Sequence, residues 1–263
     1  MKLSIITINY NNLAGLCKTM ESVLAQTYRD FEYIVIDGAS TDGSAEYVRA
    51  HADKLTYWVS EQDTGIYNAM NKGVRAATGE YVLMLNSGDF LVDEYVVERI
   101  LPELDGTDIV QGNTMNGGIL DRGYGKSNIN FLEVQCGHFL HQASFCKRDL
   151  FDKYGYFDES YRYVSDTIFF IKTLGYGGAT FKYVDIDIAD FDLTGFSHSN
   201  NTKIHQQFKE EEMRMREELL PGRLNAYCKD SEKKVQLYDE LHAHKWIWKI
   251  VVGVRQIKRM IYN

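Results

Sequence analysis

Between Leu3 and Leu85, four short apolar runs alternate with three stretches of helical periodicity, and that order restricts the fold more than anything else in the chain. Leu3–Ile8, Tyr33–Ile36, Leu55–Ser60 and Tyr81–Leu85 are compact and rich in β-branched and aromatic residues, the composition of buried strands. Between them, Leu13–Ala25 repeats Leu16, Met20, Val23 and Leu24 at helical spacing. Thr41–Ser44 forms a capping turn for a helix over Ala45–Ala50, and a third helix over Ile66–Ala77 stops at Gly79. Strands separated by helices pair through crossovers, which predicts an α/β fold with a mostly parallel central sheet flanked by helices.

The second half is less regular. A helix is expected over Asp93–Leu104, a strand over Asp108–Gln111 and another over Phe139–Cys146. Gly112–Gly125 is glycine-rich and polar, with hints of a β-ribbon. Lys147–Tyr154 and Asp166–Leu174 have helical character, and Thr180–Ile188 alternates as a strand does. Beyond Asn200 the pattern is helical, with a break at Pro221-Gly222. The expected division is a core domain over 1–200 and a helical C-terminal extension over 201–263.

At 263 residues the chain can bury a full core, and its formal charge of -8 argues against a nucleic-acid partner. Cys17, Cys136, Cys146 and Cys228 form no C-x-x-C pair, which reads as free thiols in a reducing compartment. The apolar run after Lys2 breaks at Asn9, too short for a signal peptide, so a cytoplasmic protein is expected.

Chemistry concentrates where strands end. The stretch EQDTGIYNAMNKGVRAATGEYVLMLNSGD, Glu61–Asp89, reads as polar loop, helix, buried strand and acidic turn. It sets the loop's Asp, Gly and Asn beside a carboxylate at a strand's carboxyl end, the edge where open α/β sheets bind ligands. Thr7, Asn9 and Tyr10 leave the first strand there, and Asp37 leaves the second. A nucleoside at that edge would stack its base near Tyr10 and give a ring N–H to Asp37; alternatively, Asp37-Gly38 is only a turn. The first strand is followed by NYNNLAG, without the glycine fingerprint of dinucleotide-binding folds or the glycine-lysine loop of ATPases. The missing basic phosphate loop also counts against a nucleotidyltransferase, and no H-E-x-x-H or G-x-S-x-G motif is present.

SIITINYNN, VIDGASTDGS, DTGIYNAMNKG, ATGEYVLMLNSGD, HQASF and YGYFDESYRYVSDTIFF, taken in this order over residues 3–200, resemble a family 2 glycosyltransferase of the GT-A fold. The similarity is to the bacterial polysaccharide-assembly group that includes colanic-acid-type transferases. The resemblance implies a Rossmann-like nucleotide-binding sheet and inverting transfer from a nucleotide diphosphate sugar, with UDP favoured, to a hydroxyl of a glycan or lipid-linked acceptor. It also implies a divalent cation, Mn²⁺ or Mg²⁺, on the donor diphosphate. Asp89 matches the metal ligand of the family's strand-end acidic motif. Asn86 replaces a carboxylate often found there, and Ser87 and Gly88 complete the donor-side turn. Asp63, Gly65, Asn68, Asn71 and Lys72 fall where such enzymes contact base and phosphates. Asp166 matches the base that deprotonates the acceptor hydroxyl, with Ile168 where a second acid often stands. His141-Gln142 matches a strand near the donor sugar or acceptor, and His198 a late metal-binding histidine.

Asn86 and Ile168 leave open a degenerate protein that binds a sugar nucleotide, or regulates a partner, without turnover. From His242 onward there is no acidic residue, while Lys245, Lys249, Arg255, Lys258 and Arg259 accompany apolar residues at helical spacing flanked by Trp246 and Trp248. Such a helix over 242–263 either lies in an anionic membrane interface, on the cytoplasmic face of the inner membrane, or packs on protein.

Overall fold

The computed structural model describes residues 2–136, 139–191 and 202–219. The first half follows the alternation closely. Strands β1 (Leu3–Asn9), β2 (Glu32–Asp37), β3 (Tyr57–Ser60) and β4 (Tyr81–Met84) are separated by helices α1 (Leu13–Leu24), α2 (Ser44–Ala50) and α3 (Ile66–Ala76). These strands lie in the order β3-β2-β1-β4 and are parallel throughout. Asn12 begins α1 by accepting from Gly15 N–H (3.1 Å). Asp42 serves two helix starts, accepting from Leu13 N–H (2.8 Å) and Ser44 N–H (3.1 Å).

The second half turns the sheet mixed. It contains β5 (Phe90–Leu91), α4 (Val96–Ile100), β6 (Ile109–Asn116), β7 (Ile119–Asp121), α5 (Phe131–Cys136), β8 (Ser144–Lys147), α6 (Asp149–Tyr154), α7 (Ser165–Phe170), β9 (Phe181–Phe191) and α8 (Thr202–Leu219). β8 inserts antiparallel between β4 and β6, β9 runs parallel to β6, and β5 closes the order antiparallel to β9. The glycine-rich stretch does form a ribbon: β6 runs on to Asn116, turns through Gly117-Gly118 and pairs with β7.

Three expectations change. The strand expected over Phe139–Cys146 begins only at Ser144, because His141–Ala143 form a 3₁₀ turn. The helix expected over Asp93–Leu104 is α4 alone, tightening into a 3₁₀ turn at Leu101–Glu103 where Pro102 removes a donor. After α7 the backbone widens into a π-helical turn over Ile171–Tyr176.

Side chains of the parallel strands feed two cores. Leu3, Ile5, Tyr33 and Val35 pack with Leu16, Met20 and Val23 of α1 and Val48 of α2. Ile6, Ile8, Ile34 and Ile36 pack with Met70 and Val74 of α3 and Phe169 and Phe170 of α7. A sheet covered on both faces explains why these strands read as unbroken apolar runs. Internal contacts group Met1–Glu212 as one compact unit and Met213–Asn263 as another. No described helix is long and apolar enough to cross a membrane.

Candidate active site

The carboxyl ends of β2, β1 and β4 lie side by side. Asp37 is fully buried there, and its carboxylate turns inward. Oδ1 accepts from Asn9 Nδ2 (2.8 Å) and Ser40 Oγ (2.6 Å); Oδ2 accepts from Ser40 N–H (3.0 Å) and Ser60 Oγ (2.6 Å). A carboxylate has about four acceptor sites. With all of them taken, Asp37 shapes the loop instead of offering an edge to a base. Thr7 is likewise interior, paired with the Tyr33 hydroxyl (3.1 Å). Asn9 is buried, with its Oδ1 unpartnered.

The exposed edge is formed by other groups. Tyr10 is 66% exposed. A Cβ built on Gly38 would lie 2.5 Å from Asp63 Oδ2 and 3.1 Å from Tyr10 Cδ2, so a glycine here is what lets the Asp63 carboxylate approach the ring. Asp63 Oδ1 accepts from Gly65 N–H (3.0 Å), which starts α3 at a φ of 140° that favours glycine. Ala39 (φ 61°) and Asn11 (φ 49°) sit in the left-handed region beside this edge, a conformation uncommon for residues other than glycine.

Asn71, Asn68 and Lys72 of α3 make contacts within the fold. Asn71 is buried, exchanging hydrogen bonds with Phe157 backbone (2.9 and 3.0 Å) and donating to Glu159 (2.9 Å). Asn68 also donates to Glu159 (2.9 Å). Lys72 pairs with Glu61 (2.8 Å) and donates to Gln62 O (3.1 Å). Asn68, Asn71 and Lys72, the residues implied to contact phosphates, thus also hold contacts within the fold. Glu159 is the group that ties α3 to the 157–161 turn.

At the end of β4, Thr19 of α1 fixes the acidic turn. Its Oγ1 accepts from Gly88 N–H (2.9 Å) and donates to Asp89 O (2.6 Å). Asn12 Nδ2 donates to Ser87 O (3.2 Å). Asp89 itself is buried.

Asn86 Nδ2 lies 3.3 Å from His141 Nε2, and His141 Nδ1 lies 3.3 Å from Asp166 Oδ2. Asp166 Oδ1 accepts from the Tyr67 hydroxyl (3.0 Å) and Thr167 N–H (2.8 Å). The structure thus joins Asp166 to the end of β4 through one imidazole, which its position on a turn allows. Gln142, the next residue, is buried. Burial pushes the Asp166 carboxyl upward, yet hydrogen bonding and charge from His141, with Thr167 and Tyr67, hold it below the usual carboxylate value. Burial pushes His141 downward, and Asp166 and then Asp89 hold it above the usual histidine value. Burial and the Asp166 charge drive Tyr67 well above a normal tyrosine. His198 lies outside the described residues.

A family model, glycosyl transferase family 2, matches residues 4–170, which contain this whole constellation. The chain belongs to that family. The glycosyltransferase is 35% identical over 200 residues to an uncharacterized glycosyltransferase of Mycobacterium tuberculosis (strain CDC 1551 / Oshkosh), covering 73% of this chain and 75% of the relative. It is 29% identical over 211 residues to a PGL/p-HBAD biosynthesis glycosyltransferase of Mycobacterium bovis (strain BCG / Pasteur 1173P2), covering 78% and 81%. Its fold is similar to that of S. aureus TarS 1-349 in complex with UDP-GlcNAc (TM-score 0.62, 18% identity, 82% of this chain and 72% of that one). It is also similar to a mannosyltransferase from Pyrobaculum calidifontis in complex with GDP-Man and Mn²⁺ (TM-score 0.59, 21% identity, 73% and 57%). The glycosyltransferase therefore has the GT-A type of α/β fold.

Its strand-end turn suits a hard divalent cation. Asp89 supplies a carboxylate, and Asn86 Oδ1 is a buried oxygen without a partner. Among the described residues there is no cluster of three or more acidic, histidine or cysteine side chains to cage a metal. Mg²⁺ is commonly held by one or two carboxylates together with substrate phosphates, and a single acidic ligand fits that mode.

Proposed function

We propose that the enzyme transfers a sugar, with inversion, from a nucleoside diphosphate sugar to a hydroxyl of a glycan or lipid-linked acceptor in cell-surface polysaccharide synthesis. The observation that carries the reading is the link from Asp166 through His141 to Asn86 at the donor-side end of β4. Asp166 has three of its roughly four acceptor sites engaged, leaving one on Oδ2 for the acceptor hydroxyl. Its depressed pKa keeps it ionised at neutral pH, as a proton acceptor must be. As that proton moves to Asp166, the hydroxyl oxygen bonds to the anomeric carbon and the nucleoside diphosphate leaves from the opposite face. One carboxylate suffices for this single displacement.

On the donor side, the base stacks on Tyr10 and gives a ring N–H to Asp63 across Gly38. UDP is the favoured diphosphate: TarS is solved with UDP and UDP-GlcNAc, though the mannosyltransferase holds GDP-Man. A divalent cation bound at Asp89 would neutralise charge on the leaving diphosphate. The basic, apolar segment over 242–263 lies outside the described residues; we assign it to peripheral contact with an anionic membrane on the cytoplasmic face.

The test is nucleoside diphosphate release from a panel of UDP- and GDP-sugars with Mn²⁺, comparing wild type with Asp166→Asn. Loss of release in the variant, with diphosphate binding retained, is the expected result. Equal release by both overturns the role of Asp166.

A further inference from the structure

Helix α8 holds the segment that delivers the base. Glu211 of α8 accepts from two consecutive backbone amides, Arg162 N–H and Tyr163 N–H, each at 2.8 Å. One turn earlier, Gln207 Oε1 accepts from the Tyr163 hydroxyl (2.9 Å), and the Phe208 ring meets the Tyr163 ring edge-on at 6.2 Å. Val164 and Ser165 follow, both buried, and Asp166 stands in the first turn of α7. Three residues of α8 thus grip a point three residues ahead of the base, on the opposite side of it in sequence from the α7 helix. Charge-assisted hydrogen bonds to backbone N–H are the stronger kind, and a paired set fixes direction as well as distance.

From this geometry we infer that Glu211 is a positioning residue for sugar transfer: its carboxylate clamps the Arg162–Tyr163 turn and thereby sets where Asp166 meets the acceptor hydroxyl. The inference rests on the transfer reading above. It assigns α8, which follows the 4–170 family match, a part in the reaction. Asp166 already has His141, Tyr67 and Thr167 fixing its two oxygens. The clamp adds control of the backbone from which that side chain springs. Reactions between oriented groups are sensitive to displacements of this kind, with about a hundredfold loss for a 1 Å misplacement.

The experiment compares wild type, Glu211→Ala and Glu211→Gln as full chains. It follows amide hydrogen exchange over residues 160–168, binding of UDP and GDP with Mn²⁺, and turnover of sugar nucleotides. Glu211→Ala should accelerate exchange at Arg162 and Tyr163 by about tenfold or more. It should lower kcat about ten- to hundredfold while leaving diphosphate affinity within about twofold. Glu211→Gln keeps one acceptor oxygen and should recover part of both losses. Unchanged exchange overturns the clamp. Faster exchange with unchanged kcat, or a loss of diphosphate affinity as large as the loss of turnover, overturns its positioning role. If wild type turns over no sugar nucleotide, the transfer reading fails and the role inferred for Glu211 in it fails too, while the exchange arm still decides whether the clamp exists.

Discussion

His141 bridges Asp166 and Asn86, with Nδ1 3.3 Å from the carboxylate and Nε2 3.3 Å from the amide. The Asn86 amide can serve either form of the ring, donating through Nδ2 to neutral Nε2 or accepting through Oδ1 after rotation. Asparagine in place of the family's carboxylate therefore gives His141 a neutral neighbour at the donor-side turn.

A graded series follows from that bridge. Asp166→Asn removes the proton acceptor and should reduce kcat by roughly 10²–10⁴-fold. His141→Phe and Tyr67→Phe each delete one hydrogen bond to an intact base, and each should cost about tenfold, near 1–2 kcal/mol. Steady-state kinetics on the three variants checks the order. A His141→Phe enzyme as impaired as Asp166→Asn would make the imidazole, not the carboxylate, the acceptor of the proton.

Gly38 and Asp63 yield a binding prediction. Alanine at Gly38 would place a methyl 2.5 Å from Asp63 Oδ2, so the carboxylate must swing away from the Tyr10 ring. Gly38→Ala and Asp63→Asn should each weaken UDP binding by roughly 1–3 kcal/mol, about five- to 150-fold. Asp37→Asn should instead lower thermal stability, because its oxygens face Asn9, Ser40 and Ser60. Calorimetric titration with UDP, beside melting curves, separates the two effects; UDP affinity unchanged in Asp63→Asn would return the base contact to another residue.

Part of this architecture is legible in the sequence. The parallel strands are legible because both faces are apolar, so Leu3, Ile5, Ile6 and Ile8 form one run whichever core they enter. The polar strand ends are legible for the same reason, since residues such as Asn9 and Asp37 interrupt the runs. Inward or outward orientation is not legible. Asp37 turns in because Asn9 and Ser60, from two other strands, reach it, and no local pattern encodes that meeting. Thr19 and Tyr67 look like ordinary helix residues in sequence; only packing brings one to the acidic turn and the other to Asp166. The 3₁₀ turn that carries His141 is not legible, since three residues of mixed character before a strand carry no distinct periodicity.

The tail has its own test. Deleting residues 240–263 removes all of the basic apolar segment, and the truncated protein should shift from membranes to the soluble fraction. Fractionation of full-length and truncated chains, repeated in high salt, checks it, since attraction to anionic lipid weakens with ionic strength. An unchanged distribution would give the segment to a protein partner.

Glu32 makes stability depend on pH far from the reacting groups. It is buried at the start of β2, where Oε2 accepts from Ser4 Oγ (2.5 Å), Thr78 N–H (2.8 Å) and Gly79 N–H (3.2 Å), and Oε1 from the Thr78 hydroxyl. Burial raises its pKa, but these donors outweigh burial and hold it below its ordinary value of 4.5. A depressed folded pKa means the unfolded chain binds the proton more readily. The stabilisation is therefore complete above the ordinary glutamate pKa and is lost as pH falls through the depressed value. Glu32→Gln presents an amide to donors that need an acceptor and should cost about 1–3 kcal/mol at neutral pH. For a chain of this size that is a fall in Tm of roughly 2–12 °C. Melting curves should show the gap between wild type and variant constant from about pH 8 to pH 6 and narrowing below about pH 4. A gap that widens in acid would mean that the folded Glu32 carboxyl binds its proton more tightly than the unfolded one, contrary to its four donors.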